Sequence, residues 1–168
     1  VRVSDGQIPE NNGVFRVTGD GIELRVEEAG QDDPDMETDI RETFDPRKNV
    51  GLDFSDIQPF IAYDEHGNAV GRIVGIINHR ANKKWHTKNV RFGFVEFIDD
   101  KDVSAALLKA VERWGRERGM DCIQGPMGIF DFDKEGMLVE DFDRIGSMVT
   151  IYNPPYYPEH LEALGYEK

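Results

Sequence analysis

The sequence predicts an α+β fold, with a mixed and mostly antiparallel sheet, one central parallel strand pair and flanking helices. Three observations predict it. Val90 to Ile98 is rich in β-branched and aromatic residues and reads as a strand. Just after it, Val103, Leu107, Ala110, Val111 and Trp114 recur at spacings of three and four, which places them on one helix face. Met120 to Gln124 then reads as a second strand, which a right-handed crossover sets parallel to the first.

The junction between that strand and helix is acidic. Asp99, Asp100 and Asp102 can each accept from free backbone N–H groups and so start the helix. Gly119 is the expected stop, after a last turn carrying Arg116 and Arg118, where cations suit the helix dipole.

Upstream, Val14 to Val17 and Ile22 to Val26 read as two strands about the turn Thr18-Gly19-Asp20-Gly21. Glu27 to Asp45 is acidic and poor in large apolar residues, a loop with one helical turn expected near Met36 to Phe44. Asp45-Pro46-Arg47-Lys48-Asn49 is a turn. Asp56 to Tyr63 and Ala69 to His79 form the clearest hairpin, and Gly71 and Gly75 in its second strand mark a bulge or a close backbone approach. Arg80 to Asn89 reads as a polar loop with Trp85 and His86 at its tip. Ser147 to Tyr152 reads as a short strand, and Asn153-Pro154-Pro155 opens a helix over Tyr156 to Leu164 that Gly165 closes. Residues 1–55 thus supply N-terminal strands and an acidic loop, and residues 56–168 the core of what is one domain overall.

Composition narrows the function. A chain of 168 residues can bury a sizeable core. The net charge of −13 argues against nucleic acid and anionic membranes as partners, although Arg80, Lys83, Lys84 and Lys88 gather in one short stretch. The single cysteine, Cys122, permits no internal disulfide, which points to a cytoplasmic home; it falls in a strand expected to be buried. No apolar run approaches the roughly 18 residues of a membrane span, and the first residues hold no signal-peptide core. The four histidines 66, 79, 86 and 160 show no metal spacing. Asp131-x-Asp133-x-Glu135-Gly136 matches the opening of a calcium loop, but its twelfth position is Phe142, where a bidentate carboxylate is needed, so no metal is expected.

The order hairpin, strand, turn, helix, strand, helix ending in Leu-Gly-aromatic resembles the GNAT superfamily, the acyl-CoA-dependent N-acyltransferases. LLKAVERWGRERGM resembles that family's central helix and NPPYYPEHLEALGY its last helix; the resemblance covers Asp56 to Lys168. DPRKN, GRIVGIINHR and FGFVEFIDD are similar to phrases in a bacterial branch of the superfamily. The resemblance implies transfer of an acyl group from acyl-CoA to a small-molecule or peptide amine, with Glu96 at the place of the general base. It implies that Phe97, Ile98 and the turn from Asp99 through Asp102, Val103 and Ser104 meet the pyrophosphate of the acyl carrier, and Asn153 its arm. A general-acid tyrosine is common where this chain has Leu161; Tyr156 and Tyr157, one turn earlier, are the substitutes. The family fold also continues with two more strands after Leu-Gly-aromatic, whereas this chain ends at Lys168. Either the chain is a fragment of a longer protein, or another segment, or a second copy pairing as a homodimer along the sheet edge, is expected to complete the sheet.

The turn departs from the family pattern Gln/Arg-x-x-Gly-x-Gly/Ala, with Asp99, Asp102 and Ser104 at the three specified positions. Two unit charges about 5 Å apart at an effective dielectric of about 20 repel by roughly 3 kcal/mol. A helix N-terminus returns only about 0.3–2 kcal/mol to a bound anion. Two alternatives therefore stand beside the enzyme: a binding or scaffold domain whose anion site is closed, and one half of a tandem pair whose active site lies in the other copy.

Overall fold

A computed structural model of the chain describes residues 2–3, 13–14, 17–19, 22–28, 43–146 and 151–168. Eight strands and three helices lie within them. The strands are β1 (Arg2–Val3), β2 (Gly13–Val14), β3 (Val17–Gly19), β4 (Ile22–Glu28), β5 (Ser55–Tyr63), β6 (Ala69–Asn78), β7 (Asn89–Phe97) and β8 (Cys122–Gln124). The helices are α1 (His79–Trp85), α2 (Lys101–Glu117) and α3 (Tyr156–Ala163). β1 and β2 pair with each other, and β3 to β8 form one six-stranded sheet in sequence order. Every neighbouring pair in that sheet is antiparallel except β7 and β8, which are parallel. The mixed sheet with one parallel pair is the class that the periodicities predict.

The sheet is covered on both faces. On one face α2 lays Val103, Leu107, Ala110, Val111 and Trp114, all buried, against Phe60, Ile73, Ile77, Val90 and Phe92, and α3 adds Tyr157 and Leu161. On the other face Phe44 and Ile129 pack on Ile61, Val74 and Ile76. The helix reaches the sheet closely because β6 presents glycine there. A Cβ on Gly75 would stand 3.0 Å from the Trp114 ring, and one on Gly71 2.8 Å from Leu107 Cδ1.

The turn after Phe44 is held by its own charges. Asp45 Oδ1 accepts from the Arg47 backbone at 2.9 Å and Oδ2 from its guanidinium at 2.8 Å. These bonds, the side-chain one first, hold the Asp45 carboxyl down to about 2. The β5–β6 hairpin turn uses Asp64 in the same way. Its carboxylate accepts from the side chain and backbone of Asn68 and from the His66 backbone, which keeps it below the usual carboxylate range.

Several expectations need correction. Residues 79–85 are a helix, because Asn78 caps its start, accepting from the Ala81 amide at 2.8 Å, and His86 closes it in the left-handed region. Local polar caps outweighed the absence of an apolar stripe. Cys122 is exposed, because β8 is the edge of the sheet there. The first hairpin is shifted along the chain, with Gly19 opposite Ile22. Most of the helical turn expected at Met36 to Phe44 and of the strand expected at Ser147 to Tyr152 lies outside the described residues; Ile151 and Tyr152 are not in a strand.

Trp114 is only 5% exposed and anchors α2 over Gly75. Trp114→Ala is expected to lower stability by about 3–5 kcal/mol. Urea titration checks this, and a loss below about 1 kcal/mol would mean that the indole does not hold the layers together.

Candidate functional site

The site begins with a register shift. Arg72 of β6 faces Glu96 of β7, and Val74 faces Gly93, so Phe94 and Val95 together stand opposite Ile73. Two residues against one is a β-bulge, and it exchanges the faces of everything beyond it. Val90 and Phe92 point to the α2 face before the bulge; Val95 and Phe97 point there after it. Glu96 is thereby turned to the opposite face, where it meets Arg72 at 3.0 Å. The bulge holds Phe94 at φ 50, an unfavourable value for an aromatic residue. Such a conformation costs on the order of 1–3 kcal/mol and persists where packing imposes it. Here the Phe94 ring stacks edge-on against Phe44 at 5.3 Å.

The second element is the short parallel pairing. β8 pairs with β7 only at Asn89, Val90 and Arg91. The chain then leaves through Gly125-Pro126, and beyond Met127, whose amide donates to the Phe92 carbonyl, no strand among the described residues pairs with β7 on the side away from β6. A groove of about 1140 Å³ opens along this free end of β7. Its lining includes Arg72, Glu96, Ile98, Phe132, Met137 and Tyr156. Arg72 is largely covered, with its side chain 13% exposed, whereas the Glu96 side chain is 63% exposed and open to a ligand. The rim carries apolar side chains in solvent, Phe132 fully, Tyr152 by about two thirds and Ile98 by about half.

Helix α3 supplies the hydrogen bonds that a neighbouring strand would otherwise give to the end of β7. The Phe97 amide donates to the Tyr157 hydroxyl at 3.0 Å, and the Tyr156 hydroxyl donates to the Phe97 carbonyl at 2.7 Å. Phe97 and Tyr157 stack at 4.1 Å. Burial pushes both phenols above the usual tyrosine value; at Tyr156 the charge of Asp99 adds to it. Both therefore keep their protons at neutral pH.

The acidic turn is internally bonded. Asp100 is the N-cap of α2, and its carboxylate accepts from the amides of Asp102 at 2.8 Å and Val103 at 3.4 Å. Asp99 turns to α3, where its Oδ1 lies 3.0 Å from His160 Nε2. The other ring nitrogen, Nδ1, lies 3.0 Å from the Ser104 hydroxyl. A carboxylate only accepts, so Nε2 carries a hydrogen; the Ser104 hydroxyl, beside Nδ1, also donates to the Lys101 carbonyl at 3.1 Å. Aspartate, histidine and serine in this order suggest a nucleophile array. Ser104 is 1% exposed and His160 2%, however, so no substrate reaches the hydroxyl. The imidazole is a clamp between the first turn of α2 and the middle of α3.

The predicted site residues fall into two groups. Glu96, Phe97, Ile98, Asn153 and Tyr156 line the groove. Asp99, Asp102, Val103 and Ser104 form the capped turn beside it, with Val103 buried in the core. Asn153 is buried and does not cap α3. Its Oδ1 accepts from the Leu138 amide at 2.7 Å and its Nδ2 donates to the Leu138 carbonyl at 3.2 Å, which fixes the loop across the groove. Asp133 accepts from the amides of Ile129 and Phe130, so it braces the same loop. Among the described residues no three His, Cys, Asp or Glu side chains converge on a metal position.

Arg72 and His160 did not stand out in the sequence. The signal for Arg72 is a lone cation inside the apolar run of β6; for His160 it is a spacing of four from Tyr156, one turn along the same face.

No family model matches the chain, and no solved structure matches it. Two curated proteins are similar to it. One, a protein called YghO from Escherichia coli strain K12, is 34% identical over 121 residues, 72% of this chain and 31% of that protein. The other, a bacterial ceramide synthase from Caulobacter vibrioides, is 30% identical over 124 residues, 73% of this chain and 32% of that protein. The chain spans about a third of the length of these relatives. Among the described residues no helix is long and apolar enough to cross a membrane.

The clamp has a measurable consequence. His160→Ala removes two hydrogen bonds and leaves the buried Ser104 hydroxyl with a weaker set of partners, so it is expected to cost about 2–4 kcal/mol in a denaturant titration. Asp99→Asn is expected to stay within about 1 kcal/mol of the natural chain, because the Asp99 side chain is 68% exposed and an amide oxygen still accepts from Nε2. Equal losses in the two variants would show that the exposed carboxylate, rather than the buried ring, carries the clamp.

Proposed function

We propose that this chain carries the acyl-transfer site of a GNAT-like N-acyltransferase whose acceptor is an amine with a long apolar tail. The observation that supports it most is the bulge at Phe94, which turns Glu96 into the groove beyond the end of the β7–β8 pairing. In this reading the amine nitrogen attacks the carbonyl carbon of an acyl thioester and Glu96 takes the proton that the nitrogen loses. The carbon–sulfur bond breaks, and the Tyr156 hydroxyl, protonated at neutral pH, turns from the Phe97 carbonyl to supply its proton to the thiolate that leaves. Arg72 holds the Glu96 carboxylate in place at the cross-strand position. The similarity to a protein named ceramide synthase supports the substrate class, since a ceramide is the amide of a long-chain amino alcohol. The apolar rim at Phe132, Ile98 and Tyr152 suits such a tail.

The test is direct. The purified chain is incubated with palmitoyl-CoA and either sphinganine or a short amine, and the amide is followed by mass spectrometry. The reading expects amide formation that prefers the long-chain amine and falls by about 10²-fold or more in Glu96→Gln. Amide formed at the same rate by Glu96→Gln would remove Glu96 as the base, and none formed from either amine would sink the enzyme reading for this chain.

One observation favours the second reading, a GNAT-like binding domain. The residues at the turn fit a pyrophosphate poorly, because the Asp100 carboxylate already holds the Asp102 and Val103 amides that an anion would need. Under this reading the natural chain binds CoA weakly. Asp100→Gly, which costs a helix start only a few tenths of a kcal/mol, binds it several-fold more tightly. Calorimetry with CoA separates the two readings: tight binding by the natural chain, unchanged in Asp100→Gly, returns the turn to the enzyme.

A further inference from the structure

Helix α1 has no packing reason to look as it does. It buries none of its own residues. A seven-residue helix is not stable alone, and this one is held outward by polar pins. Asn78 caps it, and Asn82 donates to the Asn89 carbonyl at 2.9 Å and accepts from the Asn89 amide at 3.2 Å. The helix then presents Trp85, 67% exposed, to solvent. Residues 79–95 contain Arg80, Lys83, Lys84, Lys88 and Arg91 and no Asp or Glu, in a chain whose net charge is −13. Residues 83–88 are all exposed. Among the described residues no carboxylate pairs with Arg80, Lys83, Lys84 or Lys88; Arg80 instead lies over the Phe54 ring at 4.1 Å and Lys84 over Trp85 at 4.8 Å. Asn82 also bonds the Met120 sulfur at 3.5 Å, which brings the α2 C-terminus to the same pole with exposed Arg116 and Arg118. The exposed carboxylates there are Glu117, Asp121, whose amide bonds the Lys88 carbonyl, and Asp56, which His79 pairs at 3.0 Å, so cations still outnumber them.

We propose that this basic pole, with Trp85 at its centre, is a docking surface for an anionic phospholipid bilayer. An exposed indole with Lys84 over its ring and Lys83 and Lys88 exposed in the same segment matches the headgroup level of a membrane, where the ring sits at the apolar boundary and the cations meet phosphate. Each such cation contributes about 1 kcal/mol near an anionic surface. The acidic remainder of the chain does not forbid it, because charges beyond about 8 Å are screened at physiological salt and the contact face alone is felt. A single exposed aromatic, Trp85, stands among these cations, which favours a bilayer over nucleic acid, where serial stacking platforms are the rule. β7 runs from this pole to the groove, and the seven steps from Asn89 to Glu96 span about 23 Å, so a docked helix leaves the groove uncovered. The inference does not depend on the acyl-transfer reading.

The experiment is co-sedimentation and tryptophan fluorescence of the full chain with two kinds of vesicle, pure phosphatidylcholine and a mixture rich in phosphatidylglycerol. Trp85 reports insertion by a blue shift, while the buried Trp114 provides a constant background. Binding to the anionic vesicles only, weakened by salt, is the expected result. Lys83→Gln with Lys84→Gln is expected to lower the partition coefficient about thirtyfold, from about 1 kcal/mol per lysine and 1.4 kcal/mol per factor of ten. Trp85→Ser is expected to abolish the blue shift. All three positions are exposed, and circular dichroism verifies that the variants fold. No binding to anionic vesicles, equal binding to phosphatidylcholine, binding unchanged in the double lysine variant, or tighter binding to duplex DNA than to the vesicles would each overturn the proposal.

Discussion

Two residues, Phe94 and Val95, stand opposite one, Ile73, and the site is arranged around that mismatch. Without the extra residue Glu96 would face α2, among Leu107, Val111 and the other apolar side chains of the larger core, where a carboxylate has no partner. With it, Glu96 reaches Arg72 and solvent. The bulge bends β7 at the level where β8 has already stopped pairing, and these two features together open the groove. The strained Phe94 backbone is stabilised by the second core, where Phe44, Ile61 and Ile129 pack beneath it. That core therefore supports the site as well as the sheet.

The free end of β7 would be an exposed edge if nothing met it. Helix α3 meets it with side chains in place of a strand: two tyrosine hydroxyls for the Phe97 backbone and one imidazole for the turn that follows. A single helix thus braces both the strand end and the start of α2. Because Tyr157 and His160 are buried and Tyr156 partly so, their bonds are shielded from water, and the turn and the groove wall are held as one unit. The same bracing uses groups that an extended ligand would otherwise meet. It is the physical link between the acidic turn and the choice between enzyme and binding domain.

Charge is distributed along the axis of β7. One end carries Glu96, Asp99, Asp100 and Asp102, and the other carries α1 with its lysines and arginine. A net charge of −13 describes the far field of the molecule, while each pole presents its own local chemistry.

Much of the architecture was legible in the sequence because it rests on local periodicity. The apolar spacing of α2, the hairpin turn formers around Asp64 and Gly67, and the β-branched run of β7 each specify an element without reference to distant residues. Helix α1 was missed because Asn78 and His86 define it through caps and backbone angles, not through an apolar face. The sequence by itself also determined which residue types stand at the turn and that Glu96 lies on the central strand. Only the tertiary structure decided which way Glu96 points, because a bulge is a mismatch between two strands and neither strand encodes it alone. Likewise, the pairing of Asp99 and Ser104 with His160, 61 and 56 residues away, exists only once α3 has folded against α2, since no local pattern links positions so far apart.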